Sequence, residues 1–296
     1  NSLPLPHVYG SVVFNSSFMY GMTLVIVPRF EEEAVLSAIQ QHRATILDGV
    51  PTVYYFLLSH PKFDDYDLSS LTRSMVGGQT LPAAKSIEWT ERVTTPVLEL
   101  WGMTELAGAA TANPYYGDNK PGTIGLMYPG SEGKVVSADD PNVELGAGEE
   151  GEFMVRGPLV MLGYYGNDEA TQNAMAPGNW MHTGDIATRD EDNYFTIVDR
   201  KKDMILTAGY NVYPAELERV ICGHRAVALA AVGRIPDEAR GELAKAYVVL
   251  KPDAQASGQE IVDFCRETLA AYKLPRAVQF VDSVPQTSSG KIMRRL

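Results

Sequence analysis

The chain has 296 residues, 45% of them hydrophobic, and a formal charge of -12 from 37 acidic and 25 basic side chains. This is enough apolar material for a sizeable core in two domains or one large one, and it speaks against disorder. The acidic balance argues against a nucleic-acid partner, because phosphate backbones require clustered Lys and Arg, and favours small-molecule chemistry. The two cysteines, Cys222 and Cys265, are far apart and fit neither a disulfide framework nor zinc spacing, so reduced cytoplasmic thiols are expected. The five histidines never fall as near neighbours on one helical face, so no protein-made metal cage is expected. The most apolar stretch, Ser11 to Pro28, is interrupted by Asn15, Ser16, Ser17, Gly21 and Thr23 and falls short of the roughly 18 continuous apolar residues of a membrane span. Asn1 leads straight into Leu3-Pro4-Leu5-Pro6-His7 without an initiator Met or signal-like region, and a portion of something longer is expected.

From Thr23 to about Met103, apolar runs alternate with helix-like segments. Strands are predicted at Thr23 to Val27, Ala44 to Val50, Arg73 to Val76 and Pro96 to Trp101. Helices are predicted at Glu31 to Arg43, with Val35, Ala38, Ile39 and His42 on one face, at Thr52 to Ser59 after Pro51, and at Ala83 to Val93. Such repetition implies parallel pairing with helical crossovers. Ligands then collect at the carboxyl ends of strands, where Gly77-Gly78-Gln79 and Trp101-Gly102-Met103-Thr104-Glu105 lie. Beyond Asn113 short strands at Lys134 to Ser137, Glu152 to Arg156 and Tyr194 to Val198, with a turn region at Gly146 to Gly151, predict a small antiparallel β unit over 114–198. After Lys202 the rhythm changes again: a helix from Pro214 to about Cys222, strands at Ala226 to Val232 and Ala246 to Leu250, a helix at Gln259 to Ala271 and a last strand at Ala277 to Val281. The domains read as 1–198, with 1–113 α/β and 114–198 β-rich, and 199–296, a separate α+β domain. Asp199 to Asp203 is the boundary.

Several short segments could carry chemistry. Asp185, after Thr183-Gly184, can accept hydrogen bonds from two vicinal hydroxyls, as a ribose offers, or cap its own turn. Gly77-Gly78-Gln79 lets the backbone approach a ligand closely, or simply ends a strand. Thr104-Glu105 offers a hydroxyl for a phosphate oxygen and a carboxylate for Mg²⁺, or a helix cap. Ser288-Ser289-Gly290-Lys291 is not a Walker A loop, since Pro285 and Ile292 stand at required Gly and Ser/Thr positions. It presents a Lys ammonium suited to charge developing around an attacked phosphorus, or a solvated surface lysine.

Taken in order, these segments resemble the adenylate-forming superfamily of acyl-CoA synthetases, luciferases and peptide-synthetase adenylation domains. The resemblance runs through Pro4 to His7, Gly77 to Pro82, Trp101 to Glu105, Gly151-Glu152 through Gly163-Tyr164, Trp180 to Asp185, Asp199 to Glu218 and Pro285 to Lys291. It implies a parallel-sheet subdomain and a small antiparallel β-barrel-like subdomain, together the C-terminal part of a large AMP-binding domain, followed by a mobile α+β domain. The implied activity joins a carboxylic acid to ATP with Mg²⁺, giving an acyl-adenylate and pyrophosphate, and then transfers the acyl group to a thiol. On this resemblance Asp185 and Arg200 hold the ribose, Thr104 contacts phosphate and Glu105 binds Mg²⁺. Gly77, Gly78, Gln79 and the Trp101-Gly102-Met103 strand end border the adenine and acyl pockets. Lys291 bridges the attacking carboxylate and the α-phosphate, and Lys202 is the pivot on which the small domain turns. Gly209 and Tyr210 then replace the Lys291 loop and line the pantetheine tunnel. His7 borders and gates the acyl pocket, or is a buried, satisfied histidine.

Within the superfamily, Asp199 to Asp203, Gly209 to Glu216 and Tyr272 to Arg276 look most like CoA ligases of the fatty-acid and aryl-acid groups. The expected partners are a small carboxylic acid, ATP and CoA, and a homo-oligomer is compatible with that reading. An adenylation domain serving a carrier protein is the alternative, and a third reading is a non-catalytic nucleotide- or acyl-binding fragment. Three departures stand out: no Ser/Thr/Gly-rich phosphate loop precedes the first motif, Pro6 replaces an aromatic before the histidine, and Trp101 replaces a more usual Tyr. A chain lacking that loop is expected to adenylate poorly on its own.

Overall fold

A computed structural model describes residues 1–285. The chain divides into two compact units, Asn1–Thr183 with Thr188–Ile197, and Gly184–Ala187 with the residues from Val198 onward.

The first unit begins with α1 (Val8–Met19) and α2 (Glu32–His42), followed by β1 (Ile46–Gly49), α3 (Pro51–Ser59), β2 (Arg73–Val76), α4 (Ala83–Val93) and β3 (Val97–Met103). β1, β2 and β3 pair in parallel, Ile46 opposite Arg73 and Ser74 opposite Val97, as the alternation of strands and helices requires. β4 (Gly108–Ala112) and β5 (Leu126–Met127) extend the sheet antiparallel in the order β1-β2-β3-β4-β5. Pro51 opens α3 at a position where its missing N–H leaves no bond unmade. Leu36, Tyr54, Leu57 and Trp89 are fully enclosed in the core against this sheet, and the Trp89 indole donates to Ser74 Oγ at 3.0 Å.

Two local expectations change. Residues 23–27 form no strand, although Val27 N–H bonds the Asn1 carbonyl and the Asn1 amine bonds Val25 O. On α2, Leu36 takes the buried place expected for His42, which is exposed.

The β-rich segment contains β6 (Glu132–Val136), β7 (Gly151–Arg156), α5 (Asp168–Ala174), β8 (Met175–Ala176), β9 (Trp180–Arg189) and β10 (Phe195–Arg200). Its strands follow the order β10-β9-β7-β6, with the two-residue β8 beside β9. Among the described residues this sheet is open, with β10 and β6 at its ends, which corrects the barrel-like expectation. Among the described residues no strand joins β10 to β6, as closure would demand.

The second unit contains β11 (Ile205–Thr207), β12 (Tyr210–Val212), α6 (Pro214–Cys222), β13 (Val227–Asp237), β14 (Gly241–Leu250), α7 (Gly258–Arg266) and β15 (Ala277–Phe280). Its sheet runs β12-β11-β14-β13, and β15 lies parallel to β14. Leu217 and Ile221 of α6 and Ile261 and Cys265 of α7 join Ile205, Ala246 and Val248 in one core. A capping box starts α7: Ser257 Oγ accepts from Glu260 N–H, and the Glu260 carboxylate accepts from Ser257 N–H. Burial pushes the Cys222 and Cys265 thiols up to about 11, far from thiolate reactivity.

Candidate functional site

In the first unit the site is built where the parallel strands end. β3 runs through Trp101-Gly102-Met103 into a 3-10 turn, Thr104–Leu106, which ends with Ala107 in the left-handed region at φ 56°. Leu106 is fully buried and anchors the turn, while Thr104 is exposed and Glu105 half-buried. Gly102 has no room for a side chain: a Cβ there would lie 1.7 Å from the Gly108 carbonyl oxygen. Trp101 is buried and packs its ring 4.9 Å from Phe153, which in turn lies 4.6 Å from Phe195.

The carboxyl end of β2 supplies the adjacent segment. Gly77 is buried, and a Cβ on it would meet Leu100 Cδ1 at 2.5 Å, whereas Gly78 is exposed with φ +86°. Gln79 is half-buried beside it. His7 is exposed and caps α1, its Nδ1 accepting from Tyr9 N–H at 3.2 Å, so the alternative of a buried histidine is overturned. One residue into that helix, the Tyr9 hydroxyl donates to Asp48 Oδ1 at 3.1 Å. Burial raises the Asp48 carboxyl above its ordinary value in spite of that bond.

Glu105 is held from a second segment. The Tyr164 hydroxyl donates to Glu105 Oε1 at 3.0 Å, and Met161 N–H donates to the Glu105 carbonyl at 2.8 Å. Partial desolvation and the Glu105 carboxylate raise the Tyr164 phenol above its ordinary value. Among the described residues no three His, Cys, Asp or Glu side chains gather as a metal cage. A lone carboxylate beside an exposed hydroxyl fits Mg²⁺, which retains waters and takes phosphate oxygens more readily than an all-protein shell.

In the second unit, Gly184 adopts φ +71° with open space where a Cβ would stand, and Asp185 follows it. Arg200 Nε lies 3.7 Å from Asp185 Oδ1, so the two residues expected at a ribose are neighbours. Asp199 is buried, accepting from Arg200 N–H and Ala215 N–H, each at 2.7 Å. Lys202 occupies the middle of the 3-10 turn Lys201–Asp203 with its side chain exposed. Gly209 has φ +83° and open space around it, and Tyr210, exposed, stacks on Tyr272 at 4.6 Å. Lys291 lies outside the described residues.

The family model for AMP-binding enzymes matches residues 1–165, and that for the AMP-binding enzyme C-terminal domain matches 216–291. The chain belongs to the AMP-binding enzyme family. It is 39% identical over 295 residues to a long-chain-fatty-acid–CoA ligase of Bacillus subtilis, covering 99% of this chain and 52% of the relative. Among solved structures, ATP-bound MatB from Rhodopseudomonas palustris superposes with a TM-score of 0.92 at 33% identity, covering 98% of this chain and 57% of that one. The o-succinylbenzoate CoA synthetase of Bacillus subtilis, in complex with ATP and magnesium ion, gives 0.87 at 33% identity, covering 99% and 60%. The chain thus spans about half the length of the curated relatives it matches. No helix among the described residues is long and apolar enough to cross a membrane.

In this AMP-binding enzyme, several residues around the motifs escaped sequence reasoning. Glu99, two positions before Trp101, is buried, and burial pushes its carboxyl up to about 7. An acid within the apolar run Leu98-Glu99-Leu100 is itself a signal, because charged residues are rarely enclosed without a purpose. His182 Nδ1 lies 3.3 Å from Glu152 Oε1 across the sheet, and the Thr183 hydroxyl donates to the Phe153 carbonyl at 2.7 Å, fixing the approach to Gly184. Cross-strand partners such as Glu152 depend on register, which no linear motif encodes.

Proposed function

We propose that this chain supplies the activating portion of an acyl-CoA synthetase. A carboxylate oxygen attacks the α-phosphorus of ATP, pyrophosphate leaves with the displaced P–O electron pair, and the thiol of CoA then attacks the acyl carbonyl and releases AMP. The observation that carries this reading is the turn after β3, where Thr104 is exposed and the Glu105 carboxylate is fixed at the carboxyl end of parallel strands. In this reading Glu105 holds Mg²⁺, which offsets negative charge on the nucleotide phosphates, and Thr104 donates to a phosphate oxygen. Asp185 and Arg200 hold the ribose, Gly77, Gly78, Gln79, Gly102 and Met103 border the adenine and acyl groups, and Lys291 stabilises charge at the α-phosphate. The residues from 199 onward form a small mobile domain turning at Lys202, with Gly209 and Tyr210 guiding the pantetheine arm to the acyl group.

Fatty and aryl acids are the favoured substrate class, supported by resemblance to a long-chain-fatty-acid–CoA ligase and an o-succinylbenzoate CoA synthetase. The test measures pyrophosphate release and acyl-CoA formation with a panel of fatty, aryl and alicyclic acids in the protein that carries this chain. Acid-dependent pyrophosphate release with no thioester on CoA would transfer the reading to a carrier-protein acceptor. Absence of both activities with every acid, while ATP or an acid still binds, would leave the non-catalytic nucleotide- or acyl-binding reading.

A further inference from the structure

Tyr164, itself 38% exposed, sits in a segment turned toward solvent, in which the Leu162 and Tyr165 side chains are fully exposed. Its own hydroxyl turns back to Glu105 Oε1 at 3.0 Å. Its backbone is pinned from the opposite direction: Tyr164 N–H donates to Thr171 Oγ1 at 2.9 Å, and that hydroxyl donates to the Asn167 carbonyl at 2.9 Å. Asn167 also caps α5, its Oδ1 accepting from Ala170 N–H at 3.0 Å. Gly163 makes this approach feasible, because with φ +153° a Cβ there would stand 2.8 Å from Thr171 Cγ2. The first turn of α5 therefore fixes Tyr164, and Tyr164 fixes one oxygen of Glu105.

We infer that Tyr164 is a positioning residue for a divalent cation: by occupying Glu105 Oε1 it holds the carboxylate in one rotamer and presents the second oxygen to a metal shared with nucleotide phosphate. The inference rests on the proposed nucleotide chemistry. Its physical content is that a carboxylate restrained by an outer partner loses less rotamer freedom on binding a cation than an unrestrained one. A phenol donor also favours one-oxygen over two-oxygen coordination, which suits the strict octahedral demand of Mg²⁺.

The test uses the protein that carries this chain, with Mn²⁺ as a paramagnetic stand-in for Mg²⁺, followed by electron paramagnetic resonance in the presence of saturating ATP. Tyr164→Phe keeps the ring and removes only the donor, and Tyr165→Phe, altered in an exposed ring, is the control. Tyr164→Phe is expected to weaken Mn²⁺ binding on the order of 10-fold, with ATP affinity in the presence of a chelator unchanged and Tyr165→Phe matching the wild type. Equal Mn²⁺ affinity in the wild type and Tyr164→Phe overturns the role of the tyrosine while leaving the proposed function standing. A wild-type protein that binds ATP but takes up no Mn²⁺ with it overturns the cation site on which both rest. Loss of metal-free ATP affinity in Tyr164→Phe, in proportion to the loss of Mn²⁺ binding, assigns the residue to general integrity and also overturns the inference.

Discussion

Gly122 donates its backbone N–H to Glu99 Oε1 at 2.6 Å, joining a loop to the buried middle of the strand that leads to the Thr104-Glu105 turn. Asn113 N–H bonds the Glu99 carbonyl at 2.8 Å, so the same residue ties down both ends of that loop. The donors at Gly122 and Leu81 favour the carboxylate, yet desolvation dominates and the carboxyl rises from 4.5 to about 7.

The folded state therefore holds a proton on Glu99 that the unfolded chain releases near 4.5. Its stabilising contribution is complete below that value and is lost as pH rises through about 7. The interval corresponds to roughly 3 kcal/mol at most. Denaturant melts from pH 4.5 to 8 should show a declining component that Glu99→Gln removes. Identical pH slopes in the two proteins would mean that Glu99 is ionised throughout.

Gly102→Ala should prevent a properly formed site. A Cβ at this position meets the Gly108 oxygen at 1.7 Å and Ala109 Cα at 2.6 Å, both backbone atoms that cannot rotate away. Separating β3 from β4 far enough would break their pairing, so a loss of more than about 3 kcal/mol is expected. Gly184→Ala is the contrast, since open space surrounds that position and only its φ of +71° opposes a side chain. It should cost about 1 kcal/mol. Thermal unfolding of the two variants decides the order, and a smaller loss for Gly102→Ala would refute it.

Asp199→Ala should destabilise the second unit. The carboxylate is buried and serves Arg200 N–H and the α6 residue Ala215 N–H, both at 2.7 Å, and truncation leaves these donors enclosed without it. The expected cost is roughly 2–4 kcal/mol. Hydrogen exchange should speed up first in α6. Unaltered protection there would show that the helix start does not depend on this carboxylate.

Much of the fold was legible because its periodicities are strong. β2 and α4 follow the residues read from sequence, and Pro51 and Pro214 mark helix starts. α1 was not legible, because its burial follows no apolar stripe: Tyr9, Gly10 and Ser17 are buried while Phe18 and Met19 are 72% and 76% exposed. The end of β13 was obscured for the opposite reason, since its last residues alternate half-buried and exposed positions without an apolar run. Among the candidate residues, Glu105 and Asp185 stand in motifs that the chain alone displays. The partner of Glu105 could not be read in this way, because Tyr164 is 59 residues away and is brought to it by the Met161, Thr171 and Asn167 contacts.

The last prediction concerns ribose recognition by Asp185. Its carboxylate is mostly enclosed, lies 3.7 Å from Arg200 Nε and follows a glycine that leaves open space. A carboxylate can accept from both hydroxyls of a ribose, and a hydrogen bond to a charged group contributes about 1.5–3 kcal/mol. Wild-type protein should therefore bind AMP on the order of 10- to 100-fold more tightly than 2′-deoxy-AMP. Asp185→Ala should bring AMP down to the level of the deoxynucleotide, with both then binding alike. Asp185→Asn retains an accepting oxygen but not the charge and should fall between. Calorimetric titration of the two nucleotides into the three proteins separates this role from general damage, because a misfolded site loses both ligands equally without erasing their ratio. Persistent discrimination between AMP and 2′-deoxy-AMP in Asp185→Ala would place the ribose contact on another residue.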